Sequence, residues 1–170
     1  MVYITKNTPV KTILKLSSEC KMDGKCCEYG GGFVLKGDIP QIAAFLGLTE
    51  NQFKAKYVDP IVRFNTSGFR LKSEKTNKQY GPCVFLNENK QCMIHKVKPL
   101  HCKIGTCSEH GEAINQWFTL NYYINVEDAE SIRQWAIFLK THDTIPGGQL
   151  ESLVPDKKRL YEILTYKILK

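Results

Sequence analysis

Apolar residues recur at helical spacing in several stretches of the chain, and each is bordered by capping residues. Ile39, Ile42, Ala43 and Leu46 form one face, with Asp38 as N-cap, Pro40 in the first turn and Gly47 as terminator. Thr49 opens a second helix: its Thr-x-x-Gln spacing to Gln52 matches a capping box, Phe53 and Tyr57 share a face, and Pro60 stops it. Ile132, Trp135, Ala136 and Leu139 predict a helix over 126–141, with Asn125 as cap and Glu127 and Asp128 in its first turn. Leu160, Ile163, Leu164 and Ile168 predict a last helix from about Asp156, with lysines opposite. Residues 109–124 fit two periods: Ile114, Trp117, Phe118 and Tyr122 suit a helix, whereas Phe118, Leu120, Tyr122 and Ile124 alternate as a strand does; the helix is preferred.

Extended segments are short. Phe33-Val34-Leu35 reads as one strand, and Val62, Phe64, Phe69 and Leu71 flank Asn65-Thr66-Ser67-Gly68 as a hairpin would. Val84-Phe85-Leu86 reads as a further apolar strand, and Asn87 to Lys90 as a turn that lets Cys83 and Cys92 face each other across a knuckle. Residues 1–19, with Ile4, Val10, Ile13, Leu14 and Leu16 among lysines, suit either a short strand or an irregular lead-in. The expected class is a small α+β fold, mostly helical with short strands and a hairpin, in which cysteine-rich metal-binding loops lie between helices. Residues 1–170 are expected to form one cysteine-cluster domain with C-terminal helices.

The chemistry lies in those loops. All seven cysteines fall in two bursts, Cys20, Cys26 and Cys27, then Cys83, Cys92, Cys102 and Cys107, separated by more than fifty residues without one. Thiolates bind zinc and iron strongly, and closely spaced cysteines aim several sulfurs inward at small entropic cost. Gly24 permits a positive φ just before Cys26, and Gly30 to Gly32 can serve a close backbone approach on the far side. Neighbouring Cys26 and Cys27 are expected to point apart, one to a metal and the other to a second centre, a substrate or the core. Disulfides fit poorly, since the cysteine number is odd and no secretory signal precedes the cluster. Scattered burial does not produce such grouping, and redox sensors usually need only a pair. With Asp23 the cysteines make eight potential ligands, enough for two four-coordinate sites or for one cluster with spare thiols. His95 beside Cys92 is a further candidate ligand, ahead of His101, His110 and His142.

Composition adds boundaries. The chain is 42% hydrophobic and carries a formal charge of +7, with no apolar run long enough for a signal peptide or a spanning helix, so a reducing cytoplasm is expected. A four-thiolate centre contributes about −2, leaving about +5, which permits nucleic-acid binding without requiring it. No G-x-x-x-x-G-K phosphate loop is present.

The order of these motifs resembles the YkgJ-type cysteine-cluster family of zinc- or iron-chelating domains over roughly residues 20–107. That family opens with Cys-x-x-Cys-Gly-x-Cys-Cys; Cys20, Gly24, Cys26 and Cys27 fit, with Asp23 at the second cysteine's place. Cys83-Val-Phe-Leu86, Cys92-Met-Ile-His95 and Lys98-Pro99-Leu-His-Cys102 follow the family's later segments, with Lys98 for the usual arginine and Gly105 and Cys107 where an aromatic-proline pair is common. The stretch around Asp38 and Thr49 is similar to the family's insertion between the clusters. Flagellin lysine N-methylases carry a similar domain, which brings in an iron-sulfur centre and methyl transfer from S-adenosylmethionine by analogy only.

Two functions are therefore expected to compete. One is an iron-sulfur cluster, most simply 4Fe-4S, or thiolate-bound zinc or iron, used for redox or group-transfer chemistry on an unknown protein or small molecule. The other is a non-catalytic module whose zinc staples loops that recruit a protein or a nucleic acid.

Overall fold

The computed structural model describes residues 3–18, 23–76 and 80–170. In chain order the elements are α1 (Val10–Leu16), α2 (Lys25–Glu28), β1 (Phe33–Val34), α3 (Ile39–Phe45), α4 (Glu50–Tyr57), β2 (Val58–Arg63), β3 (Thr66–Leu71), α5 (Leu100–Ile104), α6 (Gly111–Tyr122), α7 (Ala129–Phe138), α8 (Leu150–Leu153) and α9 (Lys157–Leu164). Single 3-10 turns cover Lys36–Asp38 and His95–Val97. The three strands form one sheet in the order β1-β3-β2, with β1 antiparallel to β3 in the register Phe33 to Arg70 and Val34 to Phe69. The fold is α+β and mostly helical, as the patterning implies. Among the described residues no helix is long and apolar enough to cross a membrane.

The chain divides into two compact units. The first comprises residues 1–16, 62–67 and 109–170. Its interior holds Ile13, Ile114, Trp117, Phe118, Leu120, Ile132, Trp135 and Ile163. Both indoles satisfy their N–H groups on backbone, Trp117 Nε1 donating to Thr8 O at 2.9 Å and Trp135 Nε1 to Gly148 O at 2.7 Å, so neither loses a hydrogen bond on burial. The period of 109–124 resolves as helix α6. Residues 10–16 are helical rather than strand or irregular, because Ile13 alone seats in the core while the surrounding lysines stay outside. Helix α7 starts three residues later than the pattern suggested. Asp128 is the N-cap, accepting from Glu130 N at 3.0 Å, while Asn125 Oδ1 closes a separate turn on Glu127 N.

Asp156 caps α9 as expected, accepting from Lys158 N and Arg159 N, but the helix ends at Leu164 and leaves Ile168 beyond it. The cause is Arg133, which is 6% exposed and donates to the carbonyls of Ile163, Ile168 and Leu169 while its Nε meets Glu130 at 2.9 Å. Tyr166 takes a positive φ of 58°, and the amides of Lys167 and Ile168 fold back onto Glu162 O.

The second unit comprises residues 17–61 and 68–108. Ile39, Ile42 and Ala43 of α3, Phe53 of α4, Val34, Val58 and Leu71 of the sheet, and Phe85 and Ile94 of the cysteine-bearing loop form its core, with Cys83 inside it. The Thr49 capping box is present, Gln52 N donating to Thr49 Oγ1 and Thr49 N to Gln52 Oε1. Helix α4 ends at Tyr57, before Pro60, because Val58 is already extended and Pro60 lies within edge strand β2, where its missing N–H costs no ladder bond.

The hairpin turns earlier than expected. Phe64 and Asn65, both at positive φ (48° and 59°), make a two-residue turn of type I′, and Thr66 to Gly68 belong to β3. The placement is fixed by packing inside the first unit: the Phe64 ring meets Trp135 edge-on at 5.5 Å, Asn65 Nδ2 donates to Asp128 and Thr66 Oγ1 donates to Tyr123 O. Val84 to Leu86 is not a strand. It is a pair of tight turns held by single bridges, Ser73 to Cys83 and Leu86 to Cys92.

Candidate metal centre

Three segments of the second unit carry the described thiols, and local chemistry explains each shape. In the first, Gly24 adopts φ +73°, and any Cβ there would stand 2.6 Å from Lys90 O. The chain then closes a single helical turn, α2, with Cys26 and Cys27 on it. The second is the 83–92 knuckle. Cys83 N donates to Cys27 O at 2.7 Å, joining the two cysteine bursts through backbone, and the ion pair of Lys90 with Glu28 at 2.7 Å ties the same loops at their surface.

Helix α5, the third segment, begins where the buried Asp38 carboxylate accepts from Leu100 N at 3.1 Å. Asp38 was expected to cap α3; it accepts instead from Leu35 N at 2.9 Å and makes no cap bond to α3. It thereby fixes the turn before α3 and the start of the helix that presents Cys102. Cys102 Sγ in turn fills the space that a Cβ on Gly32 would require, so glycine at this position allows the approach. The neighbouring His101 ring packs edge-on against Phe33 at 4.7 Å, and its Nδ1 accepts from Phe33 N.

Burial is graded. Cys83 is buried, Cys27, Cys92 and Cys102 are half-buried, and Cys26 is exposed. The electrostatics show that these five thiols share one neighbourhood. A hydrogen bond from the Cys27 thiol holds Cys26 down to about 6, helped by the nearby Lys98 ammonium. Cys27, as the donor, is pushed up correspondingly, and by its closeness to Cys26, Cys83 and Cys102. Cys102 is pushed up to about 12, first by burial and then by Cys83, Cys92 and Cys26. Burial likewise raises Cys83, against the opposing charge of Arg70, and Cys92, against that of Lys98. Cys26 and Cys27 are thus close enough to influence each other's ionisation. A short helical turn holds them side by side.

The remaining predicted positions lie differently. Asp23 is close enough to Cys26 to oppose its ionisation, but its carboxylate accepts from Lys25 N at 3.2 Å and pairs with Lys25 Nζ at 3.4 Å. His95 is exposed in its 3-10 turn, and Cys107 is exposed in the loop after α5. Cys20 falls outside the described residues. Among the described residues no three His, Cys, Asp or Glu side chains stand as a set that could hold a metal ion. The donor chemistry nevertheless suits a soft cation. Five thiols lie close enough to shift one another's ionisation, burial is the main cause that raises three of them, and a bound cation would favour the thiolate form that burial opposes.

A family model, CxxCxxCC, described as "Putative zinc- or iron-chelating domain", matches residues 19–134. The chain belongs to this family. The match reaches beyond the 20–107 span of the motifs and takes in α6 and the start of α7. No solved structure matches the chain. Membership supports metal binding of the zinc or iron class at the level of the family, consistent with the YkgJ-type resemblance.

Motif reading missed three contributors. Asp38 is buried and holds α5, Lys98 is the cation whose charge reaches Cys26, Cys92 and Cys102, and Arg70 is the one whose charge reaches Cys83. Lys98 was visible in the sequence only as a replacement for arginine. Asp38 was visible only as a helix cap, and Arg70 gave no signal.

Proposed function

We propose that four of Cys20, Cys26, Cys27, Cys83, Cys92 and Cys102 supply the ligands of an iron-sulfur centre that serves redox or group-transfer chemistry. The observation that carries this reading is that five thiols lie close enough to shift one another's ionisation, so a four-thiolate centre leaves at least one thiol over for chemistry, which a purely structural staple does not need. Such a centre supplies one-electron transfer when bound. The chain's own contribution is electrostatic and steric. Lys98 and Arg70 bring positive charge to a site that gains net negative charge as thiols ionise, and the Ile94 and Phe85 side chains keep one flank dry. Asp23, His95 and Cys107 are the remaining candidates for a second site.

Anaerobic purification followed by iron, zinc and sulfide analysis and a visible spectrum tests the reading. Iron and sulfide with a broad visible absorbance are expected on the order of one cluster per chain. A colourless protein with stoichiometric zinc would replace it with the stapled binding module. Anomalous scattering at the iron and zinc edges counts the centres, and a single position with Asp23 in solvent rejects the two-site version. Equilibrium dialysis with labelled S-adenosylmethionine decides whether the methylase analogy extends to this chain.

A further inference from the structure

We propose that a groove beside the thiols is an anion-binding subsite, shaped to hold the carboxylate or phosphate of a small molecule against the centre. The groove measures about 340 Å³, and its lining includes Tyr29, Arg70, Ser73, Glu74, Lys75 and Tyr80.

Arg70 is the anchor. Its Nε donates to Gly31 O at 2.8 Å, and its Nη2 fills the space a Cβ on Gly30 would need, at a φ of +135° that glycine alone adopts readily. The guanidinium is thus clamped from the backbone side. Among the described ion pairs none joins Arg70 to a carboxylate. A clamped guanidinium without an acid partner presents donors in the fork that matches two oxygens of a carboxylate or phosphate. Ser73 Oγ accepts from Gly31 N at 3.3 Å, which leaves its own hydrogen to donate. Tyr29 and Tyr80, both largely exposed and with rings 5.3 Å apart, form an aromatic wall for the body of the ligand. Glu74 is the carboxylate of the lining, opposed by both Arg70 and Lys75, so the groove carries a net positive charge.

Two links join this groove to the centre. Ser73 bridges directly to Cys83, and Tyr29 follows Cys27 by two residues on the same turn of chain. An anion on Arg70 would therefore lie beside the thiols. The subsite rests on the metal-centre reading only for its purpose; its binding is measurable without a metal.

The test is an amide and arginine-Nε NMR titration of the full chain as purified, with sodium phosphate and with sodium benzoate, against sodium chloride at matched ionic strength. Saturable shifts of Gly30, Gly31 and the Arg70 Nε signal are expected with phosphate or benzoate, and the tighter of the two identifies the ligand class. Arg70→Lys keeps the charge and loses the fork; Lys75→Met removes the second cation. Each is expected to weaken binding about tenfold. Should Arg70→Lys lose its native spectrum, Lys75→Met decides. Shifts equal to those in chloride, or binding that neither variant weakens, would overturn the subsite. Metal content is measured on the same samples. Binding without metal leaves the subsite standing and removes the centre, whereas metal without saturable binding overturns the subsite alone.

Discussion

In the unit of residues 1–16, 62–67 and 109–170 the core is carbon, with Trp117, Phe118, Ile132, Trp135 and Ile163 packed together and the polar edges of both indoles satisfied on backbone. In the unit of residues 17–61 and 68–108, the core around Ile39, Ile42, Phe53 and Ile94 ends in sulfur, with Cys27, Cys92 and Cys102 packed against it and Cys83 inside. A carbon core draws its stability from area removed from water and keeps it under most solution conditions. A core that ends in thiols depends on what the thiols hold. On the metal-centre reading, stability in the first unit rests on buried carbon and stability in the second responds to metal.

The strongest way to break the comparison is to damage the carbon core. Trp135→Ala removes a fully buried indole and its bond to Gly148, and is expected to cost about 3–5 kcal/mol. Thermal unfolding should show it, while metal content of the folded fraction stays unchanged. Equal loss of metal would mean that the two units are not energetically separate.

Chelation should act on the other unit. With metal at about 100 times its dissociation constant, its removal withdraws about 2.7 kcal/mol. Hydrogen exchange should therefore accelerate about a hundredfold in residues 24–31 and 83–107 while α6, α7 and α9 keep their protection. Uniform loss across those helices would make the centre the core of the whole fold, and unchanged loops would remove the structural metal. Phe85 and Ile94 anchor the 83–107 loop in the core, so it is less dependent on metal than its Lys- and Asn-rich sequence implies.

Asp38→Ala is expected to cost about 2 kcal/mol, because the amides of Leu35 and Leu100 lose a charged acceptor in a buried place. Metal affinity should fall roughly tenfold as α5 loosens, measured by competition with a chromogenic chelator. Unchanged affinity would show that Cys102 is positioned by other contacts.

The smallest effect concerns acid. Arg133 holds Glu130 below its usual range, helped by Gln134. A depressed carboxylate stabilises the fold above its unfolded pKa, near 4.5, and loses that contribution as pH falls through the folded value. Glu130→Gln should therefore be less stable than the parent at pH 6, and the difference should shrink below the unfolded value and close as pH falls through the folded one, as followed by melting temperature.

The helices that sequence patterning located are those with a local cap or a clear stripe: Thr49 with Gln52 for α4, Asp156 for α9, and Trp117 with Phe118 for α6. Errors gathered where distant residues decide. Arg133 ended α9 early, Trp135 and Tyr123 fixed the hairpin turn, and the core drew residues 84–86 into a tight turn instead of a strand, while Asn87 to Lys90 turn as expected. At the site, cysteine spacing announced the chemistry, because thiol clusters are rare enough to be read directly. Long-range electrostatics has no such local signature, so Lys98, Arg70 and the second bond of Asp38 stayed hidden.

Position 32 controls the number of sulfurs without contributing one. Because Cys102 Sγ fills the volume a side chain at Gly32 would occupy, replacement by alanine would expel one thiol while leaving all seven cysteines in the chain. In Gly32→Ala, a metal-to-protein ratio or cluster spectrum matching that of Cys102→Ser would reveal a vacancy created by steric exclusion. Any inventory of donors taken from composition would then count a ligand the fold no longer delivers.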